Sequence, residues 1–354
     1  MKKMIGRRGT EGNYAYAVAR VKAKKSKLLK IEDFDKMLNM STSEISRYIS
    51  EAGYNKEMTD LAGSMSGIDL VEYATNANMA KAFRSILLAS QGNLKVLVQS
   101  YLEKWDMWNL KVILRGKSYG LNADLIRNDL VIAGKLDADA LDKLIQLDST
   151  EDILSTFAKM TGMNVQELLD VYKAAGNSFG HVEDYCDKYH YRRLLKSINP
   201  NDRASQNFQK YVRTEIDVRN LETILKLKVV GVYGEDVAPY IIPGGRYIDS
   251  KTAMTLASAE TIEGASSDIA QLEFYEAIKE VFESEDMKVR DVVLQMKKYE
   301  ISQAKKLSHE YPLSAIPVID YMIHKEIEVR NIKTVARGIE SGLPKERVKE
   351  LLVI

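Results

Sequence analysis

The sequence predicts an all-α protein that is made of three similar helical domains. One phrase occurs three times, and its asparagine stands at Asn109, Asn220 and Asn331, which are spaced 111 residues apart. Repetition at a fixed interval identifies a structural unit that is used repeatedly. The composition favours helix, because Leu, Lys, Glu, Ala and Met are abundant and the 354 residues include only 6 prolines. The three copies read WDMWNLKVILRG at Trp105–Gly116, IDVRNLETILKL at Ile216–Leu227 and IEVRNIKTVARG at Ile327–Gly338.

The first predicted element is an amphipathic helix over Asn13–Leu29, with Tyr14, Val18, Val21 and Leu28 on one side. Upstream of each of the first two phrases the sequence predicts a short helix, and these two short helices are equivalent to each other. Two apolar triplets with the same spacing indicate it: Phe34, Met37 and Leu38, and Leu141, Leu144 and Ile145. Serine and threonine, which cap helices, follow at Ser41–Thr42 and Ser149–Thr150. A third counterpart around Met254–Leu256 is weaker.

Each copy of the phrase predicts a long helix with a polar pair on its apolar side. An acid and an asparagine lie three positions apart, which places both on one helix face together with the apolar residues that follow. We expect these buried polar pairs to fix the register between helices. The residues that define the repeat are Asp106, Asn109, Asp217, Arg219, Asn220, Glu328, Arg330 and Asn331. Ile224–Val232 is rich in β-branched residues but matches its sister copies, so we interpret it as helix.

A glycine eleven positions after each asparagine predicts the end of the long helix, because glycine adopts the left-handed conformation found there. These glycines are Gly120, Gly231 and Gly342. A second, shorter helix should follow, capped by Asn122 in the first copy and begun by Pro344 in the third. Its expected buried edge is Ile126 and Leu130, Val237 and Ile241, or Val348 and Leu352. Loops at Gly134–Leu136 and Pro243–Gly245 predict three domains, at 1–134, 135–246 and 247–354.

Charge is unevenly distributed, although the net charge is only +1. Residues 1–30 contain one acid, Glu11, and ten basic residues: Lys2, Lys3, Arg7, Arg8, Arg20, Lys22, Lys24, Lys25, Lys27 and Lys30. Such an end can contact phosphate, lipid headgroups or acidic loops, or can be a solvated helix face. A single cysteine, Cys186, excludes an internal disulfide and favours an intracellular setting. No signal peptide and no apolar run long enough to span a membrane is present.

No motif for catalysis or nucleotide binding is found in the sequence. Phosphate loops, dinucleotide fingerprints, zinc-protease motifs and nucleophile elbows are absent. The segment His181–His190 contains two histidines, one cysteine and three acids, but its spacing does not suit a zinc site, and packing of Tyr185, Tyr189 and Tyr191 on a surface helix is the preferred interpretation. Trp105, Trp108 and Arg115 are assigned to packing rather than to nucleic acid, because the net charge is near zero. We expect no cofactor, metal or small-molecule ligand.

Three segments resemble the C subunit of archaeal (A-type) ATP synthases, a relative of the C subunit of bacterial V-type ATPases and of the d subunit of the vacuolar ATPase. They are YAYAVARVKAKKSKLL at Tyr14–Leu29, EIDVRNL at Glu215–Leu221, and the ending Asp320–Pro344, which contains the pattern E-x-E-x-R-N-I and then A-R-G and G-L-P. The resemblance extends from about residue 10 to Ile354. It implies an all-helical, funnel-shaped fold of three similar domains in a pseudo-threefold arrangement.

The resemblance also implies a non-catalytic rotor subunit. Such a subunit couples the membrane proteolipid ring to the D and F subunits of the central stalk, and supports ATP synthesis driven by protons or sodium ions. It would lie at the cytoplasmic face of the cell membrane, in peripheral contact with it, and bind no nucleic acid. We expect Lys22, Lys24, Lys25 and Lys27 to face the ring or the membrane. The first copy departs from the pattern, since Trp108 replaces the arginine of the other two.

Two other classes of function remain open from the residues alone. A helical-repeat scaffold or nucleic-acid-binding protein could use the basic N-terminus, and would bind RNA or DNA tightly in a salt-sensitive manner. An enzyme is disfavoured, because the sequence has no phosphate loop and no paired nucleophile and base.

Overall fold

In this computed structural model, residues 12–176, 178–199 and 201–353 are described, and every regular element within them is a helix. The predicted all-α class is therefore confirmed. The α-helices are α1 Tyr14–Lys25, α2 Ile31–Met37, α3 Thr42–Ile49, α4 Asn55–Leu61, α5 Gly67–Ala89, α6 Gly92–Leu102, α7 Lys104–Ser118, α8 Ala123–Asp129, α9 Ala138–Gln146, α10 Thr150–Thr161, α11 Val165–Ala174, α12 Phe179–Ser197, α13 Arg203–Val229, α14 Ser250–Ser258, α15 Ser266–Ile269, α16 Lys279–Phe282, α17 Val289–Glu310, α18 Ile316–Glu340 and α19 Lys345–Glu350. A π-helical turn covers Ser50–Tyr54, and 3₁₀ turns cover Gly234–Tyr240 and Tyr275–Ala277.

By its internal contacts the chain divides into two compact units. The first unit takes in the described residues up to His190 together with Tyr321–Leu352. The second unit takes in Tyr191–Asp320 and Val353. The division into three domains that the repeat indicates stays a prediction.

The first unit contains a core between the first long helix and the helices that follow it. Leu110 and Ile113 on α7 pack in one cluster with Phe157 on α10. Val182 and Cys186 on α12 belong to the same cluster and are fully buried. The predicted packing of tyrosines on this helix is confirmed, since Tyr185 and Tyr189 pack against the cluster. The helix turns the side that holds Val182 and Cys186 to the core and leaves His181 exposed, as a surface helix does.

The second unit has an equivalent core around α13. Leu221 and Ile224 on α13 pack with Leu256 on α14 and Met296 on α17. Phe274, which directly precedes the 3₁₀ turn Tyr275–Ala277, belongs to the same cluster. Burial of such side chains removes apolar surface from water and supplies the main stabilisation of each unit.

The repeated helix ends are confirmed. The three predicted glycines adopt positive φ angles of 68°, 76° and 66°. The buried edge of the short second helix is also as predicted, with all six residues buried. In the second copy this element is a 3₁₀ turn rather than an α-helix, and it contains Pro239, which has no N–H to donate. In the third copy the helix begins at Lys345, one residue after Pro344.

The short helices upstream of the long ones occur three times. Ser41 and Ser149 accept the backbone N–H groups of Glu44 and Asp152, which confirms both caps. The weaker third counterpart is α14, in which alanines replace two of the larger side chains. The buried positions are Phe34, Met37 and Leu38 at α2, Leu141, Leu144 and Ile145 in α9, and Ala253, Leu256 and Ala257 in α14.

The N-terminal helix is shorter than predicted. It ends at Lys25 instead of Leu29, and the backbone N–H of Leu29 donates to the carboxylate of Glu328 rather than to a helix carbonyl. Lys2, Lys3, Arg7, Arg8 and Glu11 lie outside the described residues. No helix in the described part of the chain is both long and apolar enough to cross a membrane.

Candidate functional site

The acid and the asparagine of the first copy bind the backbone of a loop. Asn109 on α7 donates from Nδ2 to the carbonyl of Val131 at 2.9 Å and accepts the N–H of Val131 at 2.8 Å. Asp106 accepts the N–H groups of Lys135 at 2.8 Å and Leu136 at 3.0 Å. Both side chains are buried. Together they hold residues 131–136, which connect α8 to α9.

The second copy repeats this arrangement almost atom for atom. Asn220 on α13 exchanges two hydrogen bonds with Ile242, both at 2.9 Å. Asp217 accepts the N–H groups of Tyr247 at 3.1 Å and Ile248 at 2.8 Å. In both copies the residue held by the asparagine is 22 positions further along the chain. From the sequence, the acid and the asparagine are expected to fix the register between helices. In both copies they instead hold a loop, through hydrogen bonds to the backbone of that loop.

The third copy binds the beginning of the chain. Glu328 on α18 accepts the N–H of Leu29 at 2.8 Å. Its other oxygen accepts the hydroxyl of Tyr54 at 2.9 Å and the ammonium of Lys325 at 2.8 Å. Lys325 also donates to the Tyr54 oxygen at 2.8 Å. Asn331 is buried one turn further along α18.

Each of the three acids accepts the backbone N–H of a residue that lies two positions before a short helix begins. Leu136 precedes α9, Ile248 precedes α14 and Leu29 precedes α2. A hydrogen bond at this position fixes the direction in which the next helix starts. We call these three contacts the acid clamps. The first two clamps each bind a loop that follows their own long helix in the chain, whereas the third clamp binds the N-terminal segment.

Two glycines that the sequence marks only as loop residues are part of the clamps. A Cβ atom on Gly134 would overlap the carboxylate of Asp106, and a Cβ on Gly245 would overlap that of Asp217. Close approach of backbone to a side chain is a position that only glycine can fill. The signal was present in the sequence, since Gly134 and Gly245 are also 111 residues apart.

Burial governs the electrostatics of the clamps. Burial raises the pKa of Asp106 to about 7, although the hydrogen bonds from the backbone N–H groups of Leu136 and Lys135 lower this pKa. The same balance raises the pKa of Asp217 to about 6. Burial also lowers the pKa of Lys325, while Glu328 acts in the opposite direction. Burial and Glu328 raise the pKa of Tyr54 well above its ordinary value, so that the hydroxyl stays protonated and donates.

A second repeated contact joins the long helices to their neighbours. Arg115 on α7 forms a bidentate pair with Glu183 on α12, at 2.8 and 2.7 Å. Arg337 on α18 forms the equivalent pair with Glu72 on α5. These pairs were not predicted from the sequence, because their partners lie outside the repeated phrase. In the second copy Lys226 pairs with Glu222 of its own helix.

The arginines and Trp108 of the repeated phrase are not equivalent in space. Arg219 lies 5.5 Å from the ring centre of Tyr191 and 3.9 Å from the Glu215 carboxylate. Arg330 is exposed to solvent. Trp108 is half exposed and meets the buried Trp105 edge to face, with ring centres 6.4 Å apart. These side chains therefore do not share one role.

The chemistry of the clamps is structural. Asp106 and Asp217 are buried and their oxygens accept backbone N–H groups, whereas a general base needs an oxygen within reach of a substrate proton. Within the described ranges, no three residues of the types His, Cys, Asp and Glu are grouped as a metal ion would require.

Four basic residues were predicted to face the ring or the membrane. Lys22, Lys24 and Lys25 lie in the last turn of α1, and Lys27 lies in the turn that follows it. Lys22 and Lys27 are exposed, while Lys24 and Lys25 are half-buried. Ala17, Val18 and Val21 form the buried side of the helix.

Comparison with known proteins gives consistent matches over the whole chain. The sequence model of the ATP synthase (C/AC39) subunit family matches residues 17–351. The C subunit of the A-type ATP synthase from Methanococcoides burtonii is 34% identical over 354 residues, covering 100% of this chain and 98% of the relative. Its counterparts of the same name from Archaeoglobus fulgidus and Methanosarcina acetivorans are 36% and 33% identical, and each alignment covers 98% of this chain and 98% or 94% of the relative.

Proposed function

This chain belongs to the ATP synthase (C/AC39) subunit family, and we propose that it is the non-catalytic rotor subunit of an A/V-type complex. In this role it couples the membrane proteolipid ring to the D and F subunits of the central stalk, and supports ATP synthesis driven by protons or sodium ions. The observation that carries the proposal is the family match over residues 17–351. The chain would bind at the cytoplasmic face of the cell membrane as a peripheral protein.

The acid clamps support a mechanical role. A part that transmits torque must resist bending at the junctions between its helices. Each clamp ties such a junction to a long helix through buried hydrogen bonds, which are stronger in the low dielectric of the interior than in water. Asp106 and Asp217 do this with two backbone N–H groups each. Clamped junctions would therefore make each unit stiff.

Exposed apolar side chains after the long helices support a role in protein contacts. Tyr119 and Val230 occupy equivalent positions of the first and second copies, and both are exposed. Leu121 and Leu343, equivalent positions of the first and third copies, are exposed as well. In the first copy Tyr119 and Leu121 line one surface cleft together with Trp108, and apolar side chains grouped in this way are typical of sites that bind other proteins. We propose these turns as contacts with neighbouring subunits.

We propose further that the chain consists of three similar domains, 1–134, 135–246 and 247–354, in a pseudo-threefold, funnel-shaped arrangement. The 111-residue spacing of Gly134 and Gly245 adds to the support from the repeated phrase. Small-angle scattering of the isolated chain tests the arrangement. A particle with a central depression is expected, and a compact solid particle would contradict it.

The test of the coupling function is affinity purification of the tagged chain from native-like membranes in mild detergent. Mass spectrometry should identify proteolipid and central-stalk subunits. Recovery of neither subunit from membranes that contain the active complex contradicts the proposal. Recovery of nucleic acid instead would favour the scaffold alternative.

We propose that Lys22, Lys24, Lys25 and Lys27 face the ring or the membrane. Changing all four to glutamate should weaken association with the ring, and the loss should be largest at low salt, where charges are least screened. A matched control changes four exposed lysines elsewhere in the chain: Lys56, Lys159, Lys305 and Lys306. Equal loss of association in the two variants would mean that only net charge matters.

A further inference from the structure

A surface cleft lies in the first unit where α7, the turn after it, α8 and α12 meet. It encloses about 390 Å³, and its apolar lining consists of Trp108, Val112, Tyr119, Leu121 and Ile126. Trp108 and Val112 lie one helical turn apart on α7, whereas Ile126 on α8 is buried. Trp108, Tyr119 and Leu121 are exposed to solvent. The cleft therefore contains three large apolar side chains that folding leaves in water.

The backbone shapes this cleft. A Cβ atom on Gly116 of α7 would lie 2.7 Å from the side chain of Ile126, so glycine at this position lets α8 pack closely against α7. The N–H of Leu121 donates to the carbonyl of Gly116 at 2.9 Å and fixes the turn between the two helices. The side chains of the cleft are thus positioned by contacts that need no bound partner.

The third copy of the repeat has the same local backbone but lacks the two aromatic rings. A glycine again lets its short helix pack against its long helix. Arg330 and Ser341 occupy the positions that correspond to Trp108 and Tyr119. The packing of the long helix on the short helix therefore does not require aromatic side chains here. A different explanation is needed for the rings of the first copy.

The charged groups of the cleft leave one carboxylate unpaired. Lys111 donates to both carboxylate oxygens of Asp187 at 2.9 Å, and Arg115 pairs with Glu183. Asp129, at the end of α8, also lines the cleft. Within the described part of the chain its carboxylate makes no hydrogen bond and no ion pair. The cleft thus combines an apolar lining with a single carboxylate that has no cation of its own.

The surroundings of Asp129 favour the addition of a cation. Partial burial raises the pKa of this carboxyl, and the acids Glu72 and Asp69 raise it as well. Lys333 and Arg337 lower the pKa, but both already bind side chains of α5. A lysine or an arginine brought by a partner would therefore form an ion pair that the chain itself does not supply.

We propose that this cleft binds a segment of a neighbouring protein subunit that presents one large apolar side chain beside a lysine or an arginine. The apolar side chain would pack against Trp108, Tyr119 and Leu121, and the cation would pair with Asp129. Aromatic side chains are enriched in the centres of protein interfaces, where they bury a large area. The choice of a protein as occupant rests on the proposed contacts of these turns with neighbouring subunits.

A small-molecule ligand is the less suitable occupant. Small-molecule sites combine an apolar lining with several polar groups that converge on the ligand. Here the cations of Lys111 and Arg115 are held by acids of α12, and only Asp129 remains to orient a ligand. One apolar contact and one ion pair are instead what a single turn of a partner protein can supply.

The chemistry of the cleft is tested on the isolated chain with two probes that share a phenyl ring and differ in charge. These are 4-phenylbutylamine, which is protonated at neutral pH, and 4-phenylbutyrate, and tryptophan fluorescence reports their binding. The amine should bind with a Kd about three- to fivefold below that of the acid, and Asp129→Asn should remove this preference. Equal Kd values for the unaltered chain, or no saturable change in fluorescence, would overturn the proposal.

Two further variants locate the binding of the probes. Trp108→Phe should lose the fluorescence change, because the remaining Trp105 is buried. A change that persists in this variant would place the probes elsewhere and overturn the cleft.

A matched pair of leucines controls for the apolar contact. Leu121 and Leu343 are each 43% exposed, and the N–H of each donates to a glycine carbonyl at 2.9 Å. Leu121→Ser should raise the Kd of both probes about threefold, since it removes apolar contact area, whereas Leu343→Ser should leave both unchanged. Equal effects of the two variants would contradict the assignment to the first copy. Thermal unfolding of both variants checks that each retains the fold.

Photo-cross-linking identifies the occupant in the assembled complex. Tyr119 is replaced by p-benzoylphenylalanine, the complex is purified by affinity from native-like membranes, and cross-linked peptides are sequenced by mass spectrometry. The expected peptide belongs to another subunit and contains a large apolar residue within one helical turn of a lysine or an arginine. A cross-link to a second copy of this chain, or to a segment without a basic residue, would overturn the proposal.

The two experiments separate the cleft from the coupling function. A complex that retains its proteolipid and central-stalk subunits but gives no cross-link at Tyr119 would overturn the cleft and leave the coupling function standing. Loss of all partner subunits would contradict the coupling function. In that case the titration of the isolated chain with the two probes decides the cleft by itself.

Discussion

The first and third acid clamps solve the same structural problem with different groups. Asp106 holds its loop through two backbone N–H groups and involves no other side chain. Glu328 holds the N-terminal segment through one backbone N–H and completes its contacts with Tyr54 and Lys325. The first clamp joins residues 29 and 30 positions apart, whereas the third joins residues 299 positions apart.

The difference shows how a repeat adapts when its partner is distant in the sequence. The first two clamps bind a loop that follows directly, so a short aspartate beside a glycine is sufficient. In the third copy the partner is the N-terminal segment instead. The longer glutamate reaches this segment, and a buried lysine compensates its charge. The third clamp should therefore depend on side chains, and the other two on backbone.

The largest expected effect follows from this dependence. Glu328→Ala leaves the ammonium of Lys325 buried without its partner, and breaking a buried ion pair in this way costs about 3–5 kcal/mol. Urea unfolding of the full chain, followed by circular dichroism, measures the loss. Glu326→Ala is the matched control on the same helix, because it breaks the partly exposed pair with Lys104 and should cost below about 1 kcal/mol. Similar costs for the two variants would contradict the comparison.

A smaller effect is expected for the backbone clamps. Asp106→Ala and Asp217→Ala each leave two backbone N–H groups without their acceptor, at about 2–4 kcal/mol in total. Because the two clamps have the same geometry, the two costs should agree within about 1 kcal/mol. The same unfolding measurement applies. A large cost for one variant and a negligible cost for the other would show that the copies are not equivalent.

The contribution of the buried Asp106 to the stability of the fold should depend on pH. The pKa of Asp106 in the folded chain is raised to about 7 from its ordinary value of 3.8. A raised pKa means that the folded state holds the proton more tightly, so the stability from this group is complete below about pH 4 and is lost as pH rises to about 7. The cost of Asp106→Asn should therefore fall by about 2 kcal/mol between pH 5 and pH 7. Urea unfolding at both pH values measures it, and a cost that rises with pH would contradict the burial of this carboxyl.

The smallest effect is expected at the exposed ion pairs. Arg115→Ala and Arg337→Ala remove equivalent bidentate pairs on the surface of the first unit, and each should cost about 0.5–1 kcal/mol. Lys226→Ala removes only a pair within one exposed helix face and should cost about 0.3–0.5 kcal/mol. Unfolding in high salt should reduce the costs of all three variants. Salt-independent costs would indicate that packing of the arginine stems is responsible.

The fold class and the repeat could be predicted because they depend on local signals. Helical spacing placed Leu110 and Ile113 in the core, and glycine chemistry placed the ends of the long helices at Gly120, Gly231 and Gly342. These signals act within a few residues and survive in every copy. On α12 the packing of the tyrosines was predicted, but the buried stripe of Val182 and Cys186 was not, because charged residues surround Cys186 in the sequence.

The clamps could be predicted only in part. Burial of the acid and the asparagine followed from their helix face, but in the first two copies their partners are backbone groups, which leave no mark in the sequence. Tyr54 and Lys325 lie 271 positions apart, and no local rule connects them. The glycines at 134 and 245 did leave a signal, because their spacing equals that of the repeat.

The most direct test of the clamps is hydrogen exchange of Glu328→Gln, followed by mass spectrometry of peptides from the full chain. If each acid fixes the start of one particular helix, the amides of residues 29–37 should exchange faster in the variant. Peptides that cover Leu136 and α9, or Ile248 and α14, should exchange as in the unaltered chain. Faster exchange in all three regions, or no change around Leu29, would contradict the conclusion that the third clamp holds the N-terminal segment.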